Sequence, residues 1–183
     1  YSLAKKANEL GANVTLIMGP TNLSMDLSNI ESIRVQDSEG MYNETIKYFE
    51  NSDVIICSAA ISDFKPVEVV HSKIKKEKGL ESIKLEPTID ILLELGKIKT
   101  SQFLVGFALE TDDFIKNAKN KLKSKNLDAI VVNKIDDFNP ISSDYNQIDF
   151  INSDLEITSF EKKLKIDVSS DILNQIIKNV KKA

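Results

Sequence analysis

The sequence is poor in the residues that build disulfides, metal cages and glycine-rich phosphate turns. Its 183 residues include one cysteine, one histidine, four prolines, six glycines and no tryptophan. A lone cysteine, Cys57, excludes an intramolecular disulfide, and its place in an apolar run fits a reducing compartment, so a cytoplasmic protein is expected. His71, the only histidine, has no histidine or cysteine neighbours at metal-ligand spacing, which argues against zinc and leaves it as a surface residue. No apolar run nears the length that spans a bilayer, and no signal peptide is visible. Neither a GxGxxG turn nor a Walker A turn occurs, so the two commonest nucleotide signatures are missing. The missing glycine-rich dinucleotide turn also counts against a short-chain dehydrogenase. Basic excess is lacking too: the net charge of -4 argues against a general nucleic-acid binder.

What is present is ordinary for a globular domain, with 42% apolar and 28% charged residues. The length suffices for one domain with a substantial core, and residues 1–183 are read as a single unit without repeats or linkers. Leu3, Ala4, Ala7 and Leu10 recur at helical spacing, and Gly11 closes that helix. The chain starts inside this pattern, so an N-terminal truncation is expected. Val14 to Met18 and Ile33 to Val35 are strands, and Met41 to Phe49 a helix with Met41, Thr45, Ile46 and Phe49 on one face. Thr88 is read as the N-cap of a helix running to about Gly96, with Asp90 in its first turn. A buried strand at Phe103 to Leu109 precedes a helix bearing Phe114, Ala118, Lys121 and Leu122. A last parallel strand at Asp128 to Val132 closes on Asn133. Ile148 to Ile151 and Glu156 to Phe160 form a terminal hairpin, and a helix from Ser169 to Val180 turns Ile172, Leu173, Ile176 and Ile177 inward. Strand and helix alternate through short links. That rhythm predicts an α/β fold, a Rossmann-like, doubly wound, mostly parallel sheet with a protruding β-arm and a C-terminal β-hairpin.

The chain is organised around Asp53 to Lys76. Val54-Ile55-Ile56-Cys57 reads as a central strand buried on both faces. It runs into the small residues Ser58, Ala59 and Ala60, which let a ligand come close. Asp63 follows, then Lys65-Pro66, which is expected to break regular pairing. The chain next turns basic at Lys73, Lys75, Lys76 and Lys78. Ligands of open α/β sheets bind beyond the carboxyl ends of the strands, where a carboxylate and a lysine cluster suit a metal-bound polyphosphate. A lysine tract alone is usually a solvated face, and Cys57 alone is more simply a buried thiol than a nucleophile. Ile83-Lys84-Leu85 alternates and is expected to pair with Val67 to Ile74 as the arm.

The ordered motifs SAAISDFKP, KIKK, LEPTIDILLELG, LVGFALET and KNLDAIVVN resemble phosphopantothenoylcysteine synthetase, the phosphopantothenate–cysteine ligase of coenzyme A synthesis. The likeness runs from Gly11 to the hairpin with Asn146. It implies a two-step ligation: the carboxylate of 4'-phosphopantothenate attacks the α-phosphate of CTP, and cysteine then displaces the nucleoside monophosphate. By residue matching it implies Lys73 as the catalytic lysine, with Mg2+ as cofactor and metal ligands unassigned. The nucleotide would meet Cys57, Ser58, Ala59, Asp63, Lys73, Ile89, Asp90, Ile91, Leu92, Phe107, Lys121 and Lys125. Of these, Cys57 to Ala59 would act through backbone groups, Phe107 by packing on the cytosine, and Lys121 and Lys125 by reaching the triphosphate. The family's opening glycine-rich turn and the asparagine serving its acyl intermediate have no counterpart in this sequence. The resemblance further implies a homodimer formed through the arm, and association with a flavin-dependent decarboxylase. A non-catalytic nucleotide-binding or assembly module of the same fold is the alternative.

Overall fold

The computed structural model describes residues 1–69, 82–110, 114–134 and 143–181. Its centre is a five-stranded sheet, ordered β3 (Val54–Cys57), β6 (Phe103–Glu110), β7 (Ala129–Lys134), β8 (Tyr145–Asn152) and β9 (Ile157–Leu164). The pairs β3–β6 and β6–β7 are parallel, whereas β7–β8 and β8–β9 are antiparallel. The C-terminal hairpin expected from sequence is therefore present, and it extends further from its turn, back to Tyr145 and on to Leu164. Ahead of it, β1 (Thr15–Met18) and β2 (Glu31–Arg34) form a separate parallel ladder. A third, antiparallel ladder joins β4 (Phe64–Pro66) to β5 (Leu85–Pro87).

Helices cover both faces of the central sheet, the arrangement that an alternating strand–helix sequence requires. One face carries α2 (Ser38–Phe49), α3 (Ile91–Ile98) and α4 (Phe114–Ser124), packed through Phe49, Leu92, Leu95, Ala118 and Leu122 onto Leu104, Ile130 and Val132. The other carries α1 (Ser2–Glu9) and α5 (Lys165–Val180). There Val168, Ile172, Leu173 and Ile176 pack on Val105, Val131, Ile148 and Phe150. Helix α1 ends as its glycine dictates. Gly11 sits at φ 88°, the Ala12 N–H reaches the Ala7 carbonyl, and the Gly11 N–H reaches that of Asn8. That pair of bonds is the Schellman closure, which favours a residue without Cβ at the left-handed position.

Four sequence expectations need correction. Val54–Cys57 is an edge strand of the five-stranded sheet, not a central one. Its unbroken apolar run arises because Ile55 and Cys57 pack on one core while Val54 and Ile56 pack on the other. Lys65-Pro66 does not break pairing, since both residues lie in β4. The flanking bonds, Thr88 N–H to Asp63 and Val67 N–H to Lys84, place Pro66 and Pro87 at non-hydrogen-bonded positions. A missing N–H costs nothing there, and Lys65 faces Glu86 across the ladder at 3.4 Å. Asp90, not Thr88, caps α3: its carboxylate accepts the Leu93 N–H at 3.1 Å, while the Thr88 hydroxyl donates to the Ser62 carbonyl. Ile177 is 42% exposed, because the face of α5 turned into the core carries Val168, Ile172, Leu173 and Ile176. The arm's remaining residues, 70–81, lie outside the described part, and with them His71, Lys73, Ile74, Lys75, Lys76 and Lys78.

One contact fixes α3 against the turn that follows α4. A Cβ on Gly96 would stand 1.9 Å from the Lys125 carbonyl oxygen. The next residue, Asn126, adopts φ 51° and donates its amide to the Gly96 carbonyl at 2.9 Å. Only glycine lets the two backbones meet so closely. Gly96→Ala is expected to lower unfolding free energy by about 2 kcal/mol through forced separation of the helices, read as a shifted urea midpoint. An unchanged midpoint would show that the turn moves freely.

Candidate functional site at the strand ends

Strand β3 stops at Cys57, and Ser58, Ala59 and Ala60 continue outward as exposed, small residues. The Cys57 side chain packs on the α2–α3–α4 core, and burial pushes its thiol up to about 12. It is therefore a protonated, unreactive thiol at neutral pH, and any ligand contact there falls to its backbone. Ile61 turns back into the same core. The exit path is then tied to the start of α3 by the Thr88 hydroxyl on the Ser62 carbonyl and the Thr88 N–H on the Asp63 carbonyl, 2.9 Å. The Asp63 side chain is exposed, and among the described residues its carboxylate has no partner.

Helix α3 brings a second carboxylate to this edge. Asp90 Oδ1 caps the helix, and Asp90 Oδ2 receives the Lys125 ammonium at 2.6 Å. Partial burial pushes the Asp90 carboxyl up. The hydrogen bonds from Lys125 and the Leu93 N–H, with the charges of Lys125 and Lys121, outweigh it and hold the group below its ordinary value. One turn back on α4, Lys121 donates to the Phe107 carbonyl at 2.9 Å. Helical spacing thus puts both lysines on the sheet-facing side of α4, at the carboxyl half of β6.

The structure therefore gathers Ser58, Ala59, Asp63, Ile89, Asp90, Lys121 and Lys125 along one edge. It does not bring every expected residue there through its side chain. Ile91 and Leu92 are buried core residues, 6% and 8% exposed, so a ligand can meet only their backbone. The Phe107 ring belongs to the opposite face, against the α5 core, and only its carbonyl meets Lys121. Lys73 lies outside the described residues. Tyr42 and Glu94, which sequence reasoning missed, join Thr88, Ile89 and Asp90 in lining a cavity of about 370 Å3. Tyr42 stands three and four residues before Thr45 and Ile46, so helical spacing carried that signal. Glu94 is held by Lys97 at 2.6 Å. A Tyr-x-x-x-Lys spacing does occur once, at Tyr1 and Lys5. It lies at the start of α1, where the Tyr1 hydroxyl donates to the Asp26 carbonyl, so it forms no dehydrogenase site at this edge.

A helix-flanked sheet whose polar edge lies at the strand carboxyl ends defines a Rossmann-like α/β domain. The chain belongs to the DNA/pantothenate metabolism flavoprotein C-terminal domain family, whose description matches residues 1–180. It is 39% identical over 177 residues to the coenzyme A biosynthesis bifunctional protein CoaBC of Bacillus subtilis (strain 168), covering 96% of this chain and 44% of that protein. It is 42% identical over 178 residues to a prokaryotic protein named cysteine/cysteine sulfinic acid decarboxylase, covering 96% of this chain and 50% of that one. The chain thus spans about half the length of these curated relatives. Among solved structures, the C-terminal domain of a coenzyme A biosynthesis bifunctional protein CoaBC superposes with a TM-score of 0.84 at 33% identity, covering all of this chain and 82% of that one. The DNA/pantothenate metabolism flavoprotein of Streptococcus pneumoniae, 19% identical, shares the fold with a TM-score of 0.79 over 96% of this chain and 85% of that one.

The lowered Asp90 value carries a sign. The stability it adds is fully present above the ordinary aspartate value of 3.8 and is lost as pH falls through the lower folded value. Asp90→Asn should flatten the acid limb of the stability curve below about pH 4. Denaturant titrations at pH 3 and pH 6 check this, and an unchanged acid limb would remove Asp90 from the linkage.

Proposed function

We propose that this domain joins 4'-phosphopantothenate to cysteine in coenzyme A biosynthesis, using CTP and an acyl-cytidylate intermediate. The observation that carries the reading is the family membership over residues 1–180, together with a carboxylate-and-lysine edge at the strand ends. In the first step a carboxylate oxygen of phosphopantothenate bonds to the α-phosphorus of CTP, and the bond to the β-phosphate oxygen breaks, releasing pyrophosphate. In the second the cysteine amine bonds to the acyl carbon, the acyl–oxygen bond breaks, and CMP leaves with that oxygen while the amine loses a proton.

The residues suit these steps by their chemistry. Ser58 and Ala59 leave the strand end unobstructed for a nucleotide, and the neutral Cys57 thiol keeps that backbone free of charge. Lys121 and Lys125 present cations whose present partners, a carbonyl and a carboxylate, are exchangeable for phosphate oxygens. Asp90 keeps Lys125 extended along the edge until a triphosphate competes for it. Lys73, the basic residue of the arm, is proposed to stabilise charge developing on the α-phosphate. Among the described residues no three His, Cys, Asp or Glu side chains converge on one point. Mg2+ accordingly fits as a nucleotide-borne ion with one protein carboxylate, Asp63, rather than as the occupant of a protein cage. Its contribution there would be neutralisation of phosphate charge.

The relatives' greater length leaves room for a second catalytic unit, and association with a flavin-dependent decarboxylase is part of the proposal. A symmetric homodimer is as well. Phe64, Val67, Val69, Ile83 and Leu85 are 49–71% exposed at the base of the arm, an apolar surface that the arm of a second copy would cover. Light scattering at micromolar concentrations should return twice the chain mass, and Val67→Glu with Leu85→Glu should halve it. A parent protein that stays monomeric would contradict the arm-mediated assembly.

The catalytic reading is tested by pyrophosphate release from CTP and phosphopantothenate before cysteine is added, in the full-length protein. Lys73→Gln should slow release about 100- to 1,000-fold while CTP affinity changes far less. Asp63→Ala should instead weaken CTP binding in calorimetry. Release at the parent rate by Lys73→Gln would return the lysine tract to a solvated surface. CTP binding without any release by the parent would favour the non-catalytic module.

A further inference from the structure

Helix α4 differs from the other surface helices in how it carries charge. From Lys116 to Lys125 the sequence holds five lysines and no acidic residue, in a chain of net charge -4. Two of the five, Lys121 and Lys125, lie on the sheet-facing side described above. The others follow a different stripe. Spacings of three and four residues stack Lys116, Lys119 and Lys123 along one side of the helix, away from Ala118 and Leu122, which are buried in the core. Lys116 and Lys123 are exposed and Lys119 is half-buried. None of the three meets a carboxylate among the described residues.

Helices α1, α2 and α3 balance such charges locally. Lys6 meets Glu9 at 3.0 Å on α1, Lys47 meets Glu44 at 2.6 Å on α2, and Lys97 meets Glu94 at 2.6 Å on α3. On α4 the same spacings set lysine against lysine, Lys116 with Lys119 and Lys119 with Lys123, which destabilises a helix. Lys116 also stands in the first turn of α4, where the helix dipole disfavours a cation. The stripe therefore costs stability, and core packing does not call for it. What it supplies is a positive field beside the strand-end edge, on a protein of net negative charge.

We propose that Lys116, Lys119 and Lys123 steer polyanionic substrates toward that edge, speeding their capture without touching them once bound. The inference rests on the nucleotide reading above, and it concerns the rate of encounter rather than the bound state. CTP and phosphopantothenate arrive as multiply charged anions, which the protein's net charge repels; cysteine arrives as a zwitterion. The Debye length is about 8 Å at physiological salt and about 30 Å at 0.01 M. The whole stripe therefore acts on an arriving anion at low ionic strength, and little of it acts at high ionic strength.

Stopped-flow mixing of the full-length protein with a fluorescent N-methylanthraniloyl derivative of CTP tests it. The triple change Lys116→Gln, Lys119→Gln and Lys123→Gln should slow association about three- to fivefold at 0.01 M ionic strength, with the parent rate recovered at about 0.5 M. Glu at the same three positions should slow it about tenfold. Dissociation and kcat should not change, and the urea midpoint of the Gln variant should not fall. Arg at all three positions should keep the parent association rate, and kcat/KM for cysteine should match the parent throughout. Parent-like association in the Gln variant at low salt overturns the proposal. So does a loss that persists at high salt or resides in the dissociation rate, which would make these lysines ligand contacts. Slow association in the Arg variant overturns it as well. A parent that binds neither the derivative nor CTP removes the nucleotide reading itself.

Discussion

The contact on which the candidate site depends is the backbone crossing at Gly96. Its missing Cβ admits the Lys125 carbonyl, and Asn126 seals the crossing with a hydrogen bond to Gly96. That crossing holds the C-terminal end of α4 to α3. As a result Lys125, at the end of one helix, meets Asp90, at the start of the other. The same placement lets Lys121 reach back to the β6 backbone. Two cations and a carboxylate thus come to lie along one edge because two helices touch at a glycine. Buried apolar packing from Leu92, Leu95, Ala118 and Leu122 supplies the rest of that interface.

At the opposite side of the sheet the constraint is of another kind. Asp128 accepts the Leu104 N–H at 2.7 Å and the Lys99 ammonium at 2.8 Å. One carboxylate thereby links the start of β6, the entry to β7 and the end of α3. Charge-assisted bonds of this sort are among the stronger ones. They lie at the amino ends of the strands, away from the Asp90–Lys125 pair of the candidate site. The division resembles other α/β sheets, in which one end carries stability and the other carries ligands.

Much of the fold was legible in sequence, for local reasons. Gly11 after a helical repeat, the apolar runs at Val54 and Phe103, and the paired segments Ile148 to Ile151 and Glu156 to Phe160 each report their own conformation. What stayed hidden depends on partners distant in sequence. Thr88 and Asp90 are both good capping residues, and only the Ser62 carbonyl decides that Thr88 is taken elsewhere. Pro66 looked like a breaker because its harmlessness depends on the register with Leu85. Val54–Cys57 looked central because the cores on both faces half-bury this edge strand, which keeps its run apolar without interruption. For the site, the small residues after Cys57 and the carboxylate of Asp63 were readable as a strand-end pattern. The Asp90–Lys125 pair was not, because it depends on the crossing at Gly96.

The central claim is that a carboxylate is activated by nucleotidyl transfer at this edge. Isotope tracing tests it most directly. Phosphopantothenate labelled with 18O in its carboxylate is turned over with CTP and cysteine by the full-length protein, and the products are weighed by mass spectrometry. The account predicts one 18O atom in CMP and none in pyrophosphate, because the carboxylate oxygen that attacks the α-phosphorus leaves with it. Label in pyrophosphate or inorganic phosphate, or unlabelled CMP alongside amide product, would contradict it.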